Sequence, residues 1–139
     1  MHHVLLDTGP LVAFLNNRDH NHEWTLEQWA AVQPPFLTCE TVLAEACFLL
    51  GNIPGGSQAV MELFKRKVIT IPFVLNREIA SVAKLMTRYQ NIPMSLTDAC
   101  LVRMAEQHAK STLLTLDQDF QIYRKNGRQM IPLQIPKQV

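Results

Sequence analysis

Four acidic residues stand where a carboxylate is either costly or well placed for chemistry. Asp7 and Asp117 each follow directly on a short apolar run, Glu45 lies inside the apolar stretch 42–50, and Asp98 would share a helix face with apolar side chains. Taken singly, each has a simpler interpretation: a polar turn residue, a charge at a helix edge that reaches water, or an acid favoured by the helix dipole in a first turn. A carboxylate among apolar side chains is costly unless a cation compensates it or its pKa rises. Since four acidic residues occupy such positions, we interpret them together as a functional site that binds a cation or holds a carboxyl group with a raised pKa.

The rest of the chain predicts the elements that must position these acids. Strands are predicted at 3–6, 36–37, 68–71 and 112–116, with a last edge segment at 131–133. Helices are predicted at 10–15, 22–32, 40–50, 58–67, 77–89 and 96–110. The residues that suit their first positions are Pro10, Thr38, Ser57, Asn76 and a capping-box pair, Ser95 with Asp98.

Because strands alternate with helices, and each crossover is long enough for a right-handed parallel connection, the pattern predicts an α/β fold. The expected architecture is a three-layer α/β/α sandwich with a central, mainly parallel sheet.

This architecture brings the four acids to one pocket. Asp7 and Asp117 would lie at the carboxyl ends of strands, where open parallel sheets bind ligands, and Glu45 and Asp98 would face inward from helices. Four carboxylates in one pocket repel one another unless cations or protons neutralise them. With no Cys or His in the set, oxygen-preferring Mg²⁺ or Mn²⁺ is the natural cation. Such a cluster suits metal-assisted phosphodiester hydrolysis, which would leave a 5′-phosphate and a 3′-hydroxyl.

The order of these pieces resembles a PIN domain, the nuclease fold of VapC-type toxins. The resemblance covers essentially the whole chain, so residues 1–139 are expected to form a single PIN-like nuclease domain. The matching segments are Leu5-Leu6-Asp7-Thr8-Gly9-Pro10-Leu11, Leu43-Ala44-Glu45, Leu96-Thr97-Asp98-Ala99 and Leu114-Thr115-Leu116-Asp117-Gln118-Asp119-Phe120.

The resemblance implies an acidic pocket with one or two Mg²⁺ or Mn²⁺ ions, RNA cleavage, frequent homodimers and, in the toxin branch, a small antitoxin partner. Asp7, Glu45 and Asp98 match the three most constant acids of the family, and Asp117 matches the fourth, more variable one. Asp119 lies close enough in sequence to support or replace Asp117.

Two hydroxyl groups are expected to support the site, and one further acid is excluded from it. Thr8 and Thr115 are expected to orient the carboxylates by donating hydrogen bonds. Glu40 lies about 140° from Glu45 around a helix and is left outside the metal site.

Composition narrows the class of protein without identifying it. The chain has 139 residues, of which 47% are hydrophobic and 18% charged, and this argues against disorder and coiled coil. No apolar run reaches the roughly 20 residues of a membrane-spanning helix, and no signal peptide is visible, so a cytoplasmic protein is expected. Aromatic residues make up only 7%, and no stacking platform for single-stranded RNA is identifiable.

Other functions fit less well. Asp7-Thr8-Gly9 matches the Asp-Thr-Gly of aspartic proteases, but those enzymes are all-β and this chain is rich in helical patterns. Residues 51–57 lack the Lys and the spacing of a phosphate-binding loop, and no Gly-x-Ser-x-Gly elbow is present. The sequence thus predicts a metal-dependent endoribonuclease, the toxin of a type II toxin-antitoxin pair. The alternative is a non-catalytic PIN-like scaffold that binds RNA or protein.

Overall fold

A computed structural model describes residues 1–137 and shows one five-stranded sheet with six α-helices among them. The strand order is β3-β2-β1-β4-β7, and every pairing between these described strands is parallel. The strands of this sheet are β1 (His3–Leu6), β2 (Phe36–Leu37), β3 (Ile69–Thr70), β4 (Ser111–Leu114) and β7 (Leu133–Gln134). The predicted fold class, an α/β sandwich around a central parallel sheet, is confirmed.

Helices form the connections between the strands. They are α1 (Thr8–Leu15), α2 (His22–Ala30), α3 (Glu40–Leu49), α4 (Gly56–Lys65), α5 (Leu75–Arg88) and α6 (Leu96–Gln107). A short 3₁₀ helix (Gln118–Gln121) and a small hairpin of β5 (Arg124–Lys125) and β6 (Gln129–Met130) follow β4. The sequence had not predicted this hairpin. No helix within residues 1–137 is long and apolar enough to cross a membrane.

The core lies around β1 and β4, the two central strands. Leu5, Leu6, Leu113 and Leu114 are all completely buried, because α-helical crossovers cover a parallel sheet on its faces. Cys39 and Cys100 are buried and Cys47 is half-buried, and all three are free thiols.

Several predicted helix starts are wrong. Helix α1 begins at Thr8 and not at Pro10, because the Asp7 carboxylate accepts a hydrogen bond from the Thr8 N–H and caps the helix. Thr38 does not cap α3: its hydroxyl donates to the Leu6 carbonyl (2.7 Å) and ties β2 to β1. The Ser57 hydroxyl likewise donates to the Cys47 carbonyl, and α4 begins at Gly56.

Asn76 is the second residue of α5 and not its cap, since Val74 precedes the helix without a side-chain bond. The remaining elements agree in place with the prediction but are mostly shorter, and the edge strand begins at Leu133 instead of residue 131.

The connections place a switch point between β1 and β4. From β1 the chain proceeds outward through β2 to β3, and then returns through α5 and α6 to β4 on the other side of β1. In open parallel sheets, ligands bind outside the carboxyl ends of the strands where this reversal occurs. The fold therefore presents a crevice at Asp7, which follows β1, and at residues 115–117, which follow β4.

Candidate active site

Asp7 is fixed by a hydrogen bond to each of its carboxylate oxygens. Oδ1 accepts from the Thr8 N–H (2.7 Å) and Oδ2 accepts from the Thr115 hydroxyl (2.7 Å). Although these bonds favour the charged form, burial raises the pKa of Asp7 from 3.8 to about 6, and the negative charges of Asp98 and Asp117 add to the rise. Asp7 is thus a buried carboxylate for which the protein provides no full compensation.

Glu45 is exposed, contrary to the expectation that it faces inward from an apolar helix face. Helix α3 packs inward through Val42 and Ala46, so that Glu45 comes out at the rim of the crevice. Its carboxylate still has partners on two other helices. Oε1 accepts from the Thr8 hydroxyl (2.6 Å) and Oε2 from the Thr97 hydroxyl (2.8 Å). These two bonds direct Glu45 toward the starts of α1 and α6.

Asp98 lies in the first turn of α6, where the predicted capping box is present. The Ser95 hydroxyl accepts from the Asp98 N–H (3.0 Å), and Asp98 Oδ2 accepts from the Ser95 N–H (3.0 Å). Burial raises the pKa of the Asp98 carboxyl above its usual value, and the charges of Asp117 and Glu45 act in the same direction. The capping box therefore holds the Asp98 carboxylate where the negative charges of Asp117 and Glu45 act on it.

Asp117 and Asp119 have different places. The Asp117 N–H donates to the Thr115 hydroxyl (3.0 Å), the same hydroxyl that donates to Asp7, so Thr115 links the two residues. The Asp119 N–H donates to Asp117 Oδ1 (2.9 Å), which caps the short 3₁₀ helix. Asp119 supports Asp117 through its backbone, and its side chain is not among the described residues that line the crevice.

The four predicted acids line one open cavity of about 330 Å³. Its described lining is Asp7, Thr8, Gly9, Glu45, Leu49, Asp98, Leu116 and Asp117. Glu40 lines a separate cavity beside Cys39 and Cys100, which agrees with leaving it outside the site. The candidate residues from four distant stretches of sequence are thus brought together at the switch point.

The donor set of this cavity suits a hard divalent cation, since it consists of carboxylate and hydroxyl oxygens. Across residues 1–137, no three His, Cys, Asp or Glu side chains stand in an arrangement that would hold a metal ion as they are. Asp7 and Glu45 each accept one hydrogen bond at each carboxylate oxygen. A carboxylate has about four lone-pair sites, so these bonds leave acceptor capacity free. Burial and neighbouring negative charges raise the pKa of Asp7 and Asp98, and a cation beside these carboxylates would favour their charged forms.

Residues 4–126 match the family model described as PIN domain. The chain belongs to the PIN domain family. A match of this extent covers both central strands and all six helices of the PIN domain. No curated protein matches the sequence.

Two solved structures have the same fold. One is VapC20 of Mycobacterium tuberculosis, described as a sarcin-ricin loop cleaving toxin, with a TM-score of 0.75, 21% identity, and coverage of 84% of this chain and 91% of that one. Another is VapBC2 of Rickettsia felis bound to a DNA fragment from their promoter, with a TM-score of 0.64, 16% identity, and coverage of 96% and 98%. At these identities the likeness shows the PIN fold.

Two residues were not predicted as site residues, although one bonds a predicted acid and the pKa of the other responds to one. Thr97 was quoted only as part of a motif, yet its hydroxyl bonds Glu45. Tyr123 is fully buried, and burial together with the charge of Asp98 raises its pKa, so it stays protonated beside the PIN-domain acids. Thr97 could have been found from the sequence by its position next to Asp98, whereas nothing in the sequence places Tyr123 near the site.

Proposed function

We propose that this protein is a metal-dependent endoribonuclease that hydrolyses RNA phosphodiester bonds and acts as the toxin of a type II toxin-antitoxin pair. The observation that carries the proposal is the meeting of Asp7, Glu45, Asp98 and Asp117 in one cavity at the switch point of a PIN fold. The fold neighbours support the same function, because VapC20 is described as a sarcin-ricin loop cleaving toxin and VapBC2 carries the name of the same toxin group.

In this proposal Asp7, Asp98 and Asp117 hold one Mg²⁺ or Mn²⁺ ion, and Glu45 helps to hold it or a second ion. When bound, such ions stabilise the charge on phosphoryl oxygens and activate water at neutral pH. The protein's own contribution is orientation. Thr115 holds Asp7 and the backbone of Asp117 together, and the Thr8 and Thr97 hydroxyls hold both oxygens of Glu45.

The partners in the proposal are an RNA substrate, a small antitoxin protein and a second copy of the chain in a homodimer. Residues 1–139 act as one nuclease domain in the cytoplasm. The comparison with VapBC2 supports the antitoxin, and the presence of a PIN domain over most of the chain supports the RNA substrate.

A second function has one observation in its favour. Because no three acidic side chains within residues 1–137 are arranged to hold a metal ion, a non-catalytic PIN-like scaffold for RNA or protein fits that geometry. A scaffold has no need for a buried Asp7 with a raised pKa, however, since an uncompensated carboxylate lowers the stability of the fold.

The test is cleavage of end-labelled RNA by the wild type and by Asp98→Asn, with Mg²⁺, with Mn²⁺ and with EDTA. We expect metal-dependent cleavage that is lost in the variant, and products with a 5′-phosphate and a 3′-hydroxyl. Products with a 2′,3′-cyclic phosphate would contradict the proposed hydrolysis. Unchanged RNA binding by Asp98→Asn without cleavage by either protein would favour the scaffold.

A further inference from the structure

An apolar patch lies in solvent on α3, beside the carboxylate cavity. It consists of Ala44, Phe48 and Leu49, and Phe48 is 84% exposed and Leu49 56% exposed. The Phe48 ring is a large apolar surface left in contact with water, and such surface beside a cavity is typical of a binding site.

The patch is continuous with the carboxylate cavity. Glu45 and Leu49 line both the cavity and the apolar groove that contains Phe48. Phe48 is three residues after Glu45 on the same helix, and side chains at this spacing are neighbours on a helix surface, with Cβ atoms about 5–6 Å apart. An RNA strand whose phosphodiester lies at the cavity can therefore bring an adjacent nucleotide to Phe48.

We propose that Phe48 stacks on the nucleobase next to the phosphodiester that is held at the cavity, with Ala44 and Leu49 completing the apolar surface. The proposal rests on the proposed function, and it adds a residue that binds the RNA through its base. Because every base has an aromatic face, this contact tolerates any sequence.

The apolar lining and the small size of the patch favour a base as its occupant. Ala44, Phe48 and Leu49 offer no polar side-chain group to a phosphate, whereas the face of a base is uncharged. The patch has three side chains, while a stable protein interface contributes about 20–30 residues from each side. One aromatic ring with aliphatic neighbours matches the area of one base.

The experiment compares Phe48→Ala, Phe48→Leu and Phe48→Tyr with the wild type. Phe48→Leu keeps an apolar side chain without a ring, and Phe48→Tyr keeps the ring. Ile79→Ala is the matched control, since Ile79 is 52% exposed on α5 and does not line the cavity. All these side chains are exposed, so we expect unchanged melting temperatures, which are measured first.

The probe is a single-stranded RNA decamer with one 2-aminopurine, scanned along its length, in buffer with Ca²⁺, which also takes oxygen ligands. Gel analysis checks that the RNA stays intact. We expect the wild type and Phe48→Tyr to quench the fluorescence at one position and to bind with similar Kd. Phe48→Ala and Phe48→Leu should lose this quenching and raise the Kd about 5- to 150-fold, and Ile79→Ala should change neither.

A second decamer, with an abasic nucleotide at the quenched position, completes a thermodynamic cycle. Removing the base should weaken binding to the wild type and have no further effect on Phe48→Ala, because both changes remove the same contact. Full additivity would overturn the proposal, as would wild-type affinity in Phe48→Leu or no saturable binding of the decamer by the wild type. With any of these results, a protein partner would be the expected occupant of the patch.

The two proposals fail in distinguishable ways. A wild type that stacks the base but cleaves no RNA contradicts the nuclease and leaves the stacking contact in place. A wild type that cleaves RNA with the same kcat/KM as Phe48→Leu contradicts the stacking contact and leaves the nuclease in place.

Discussion

The Asp7 carboxylate accepts two hydrogen bonds, one from the Thr8 N–H, which caps α1, and one from the Thr115 hydroxyl. Both contacts favour the charged form, yet burial outweighs them, so the pKa is about 6. A carboxyl group with a raised pKa in the folded state costs stability above that pKa. The cost disappears as the pH falls toward 3.8, because the folded state takes up its proton before the unfolded state does.

We therefore expect Asp7→Asn to stabilise the protein in EDTA at pH 7. The gain is at most about 3 kcal/mol, because burial raises the pKa of Asp7 from 3.8 to about 6 and each pH unit corresponds to about 1.36 kcal/mol. The Asn oxygen still accepts from the Thr8 N–H, and its amide faces the Thr115 hydroxyl, so both contacts have a replacement. Urea unfolding of both proteins between pH 4 and pH 7 measures the difference.

The pH dependence of that difference is the decisive part. It should be largest at pH 7 and shrink toward pH 4, where the Asp7 carboxyl is protonated in the folded state and about half protonated in the unfolded state. Glu23→Gln, a substitution in the first turn of the distant helix α2, serves as the control and should show no such trend. A constant difference across this range would contradict the assignment of the cost to the Asp7 charge.

Among the elements, α6 has the clearest start, because Ser95 and Asp98 form a complete capping box. The same pair appears in the sequence at the required spacing, so this boundary was predicted correctly. Helix α3 shows the opposite case. Its residues 42–50 are almost all apolar, so the sequence does not indicate which stripe packs inward.

We expect Ser95→Ala to destabilise the protein by about 0.5–2 kcal/mol, because the Asp98 N–H loses its acceptor at the helix start. Thermal unfolding measures the change. Ser95→Thr keeps the hydroxyl and should recover most of the stability. If Ser95→Ala and Ser95→Thr were equally stable, the box would not contribute to the stability of α6.

At the scale of the molecule, the carboxylates lie at the switch point between β1 and β4, and the parallel sheet around them confirms the predicted fold class. The net charge of the chain is +1, which says nothing of this local concentration of negative charge. A cation that binds only the folded state adds to the free energy of unfolding, by about 2.7 kcal/mol at 100 times its Kd.

We expect Mg²⁺ or Mn²⁺ to raise the melting temperature of the wild type, and to raise that of Asp98→Asn less. The reason is that a cation would offset the burial of Asp7 and Asp98 and the negative charge of Asp117, which both raise the pKa of these two carboxyl groups. Differential scanning fluorimetry with NaCl at matched ionic strength separates binding from screening. An equal rise in both proteins would contradict a metal site that includes Asp98.

The sequence by itself determined the alternation of strands and helices, the parallel sheet, and the four acids, because apolar runs and capping residues are local signals. It also identified Thr8 and Thr115 as partners of the carboxylates. Only the tertiary structure decided that Glu45 lies in solvent and is held by Thr8 and Thr97, that Asp119 acts through its backbone, and that Phe48 is exposed beside the cavity. The positions of Glu45 and Phe48 depend on which stripe of α3 packs on the core, and an almost uniformly apolar helix leaves that choice to its neighbours. The role of Asp119 depends on the turn that follows β4.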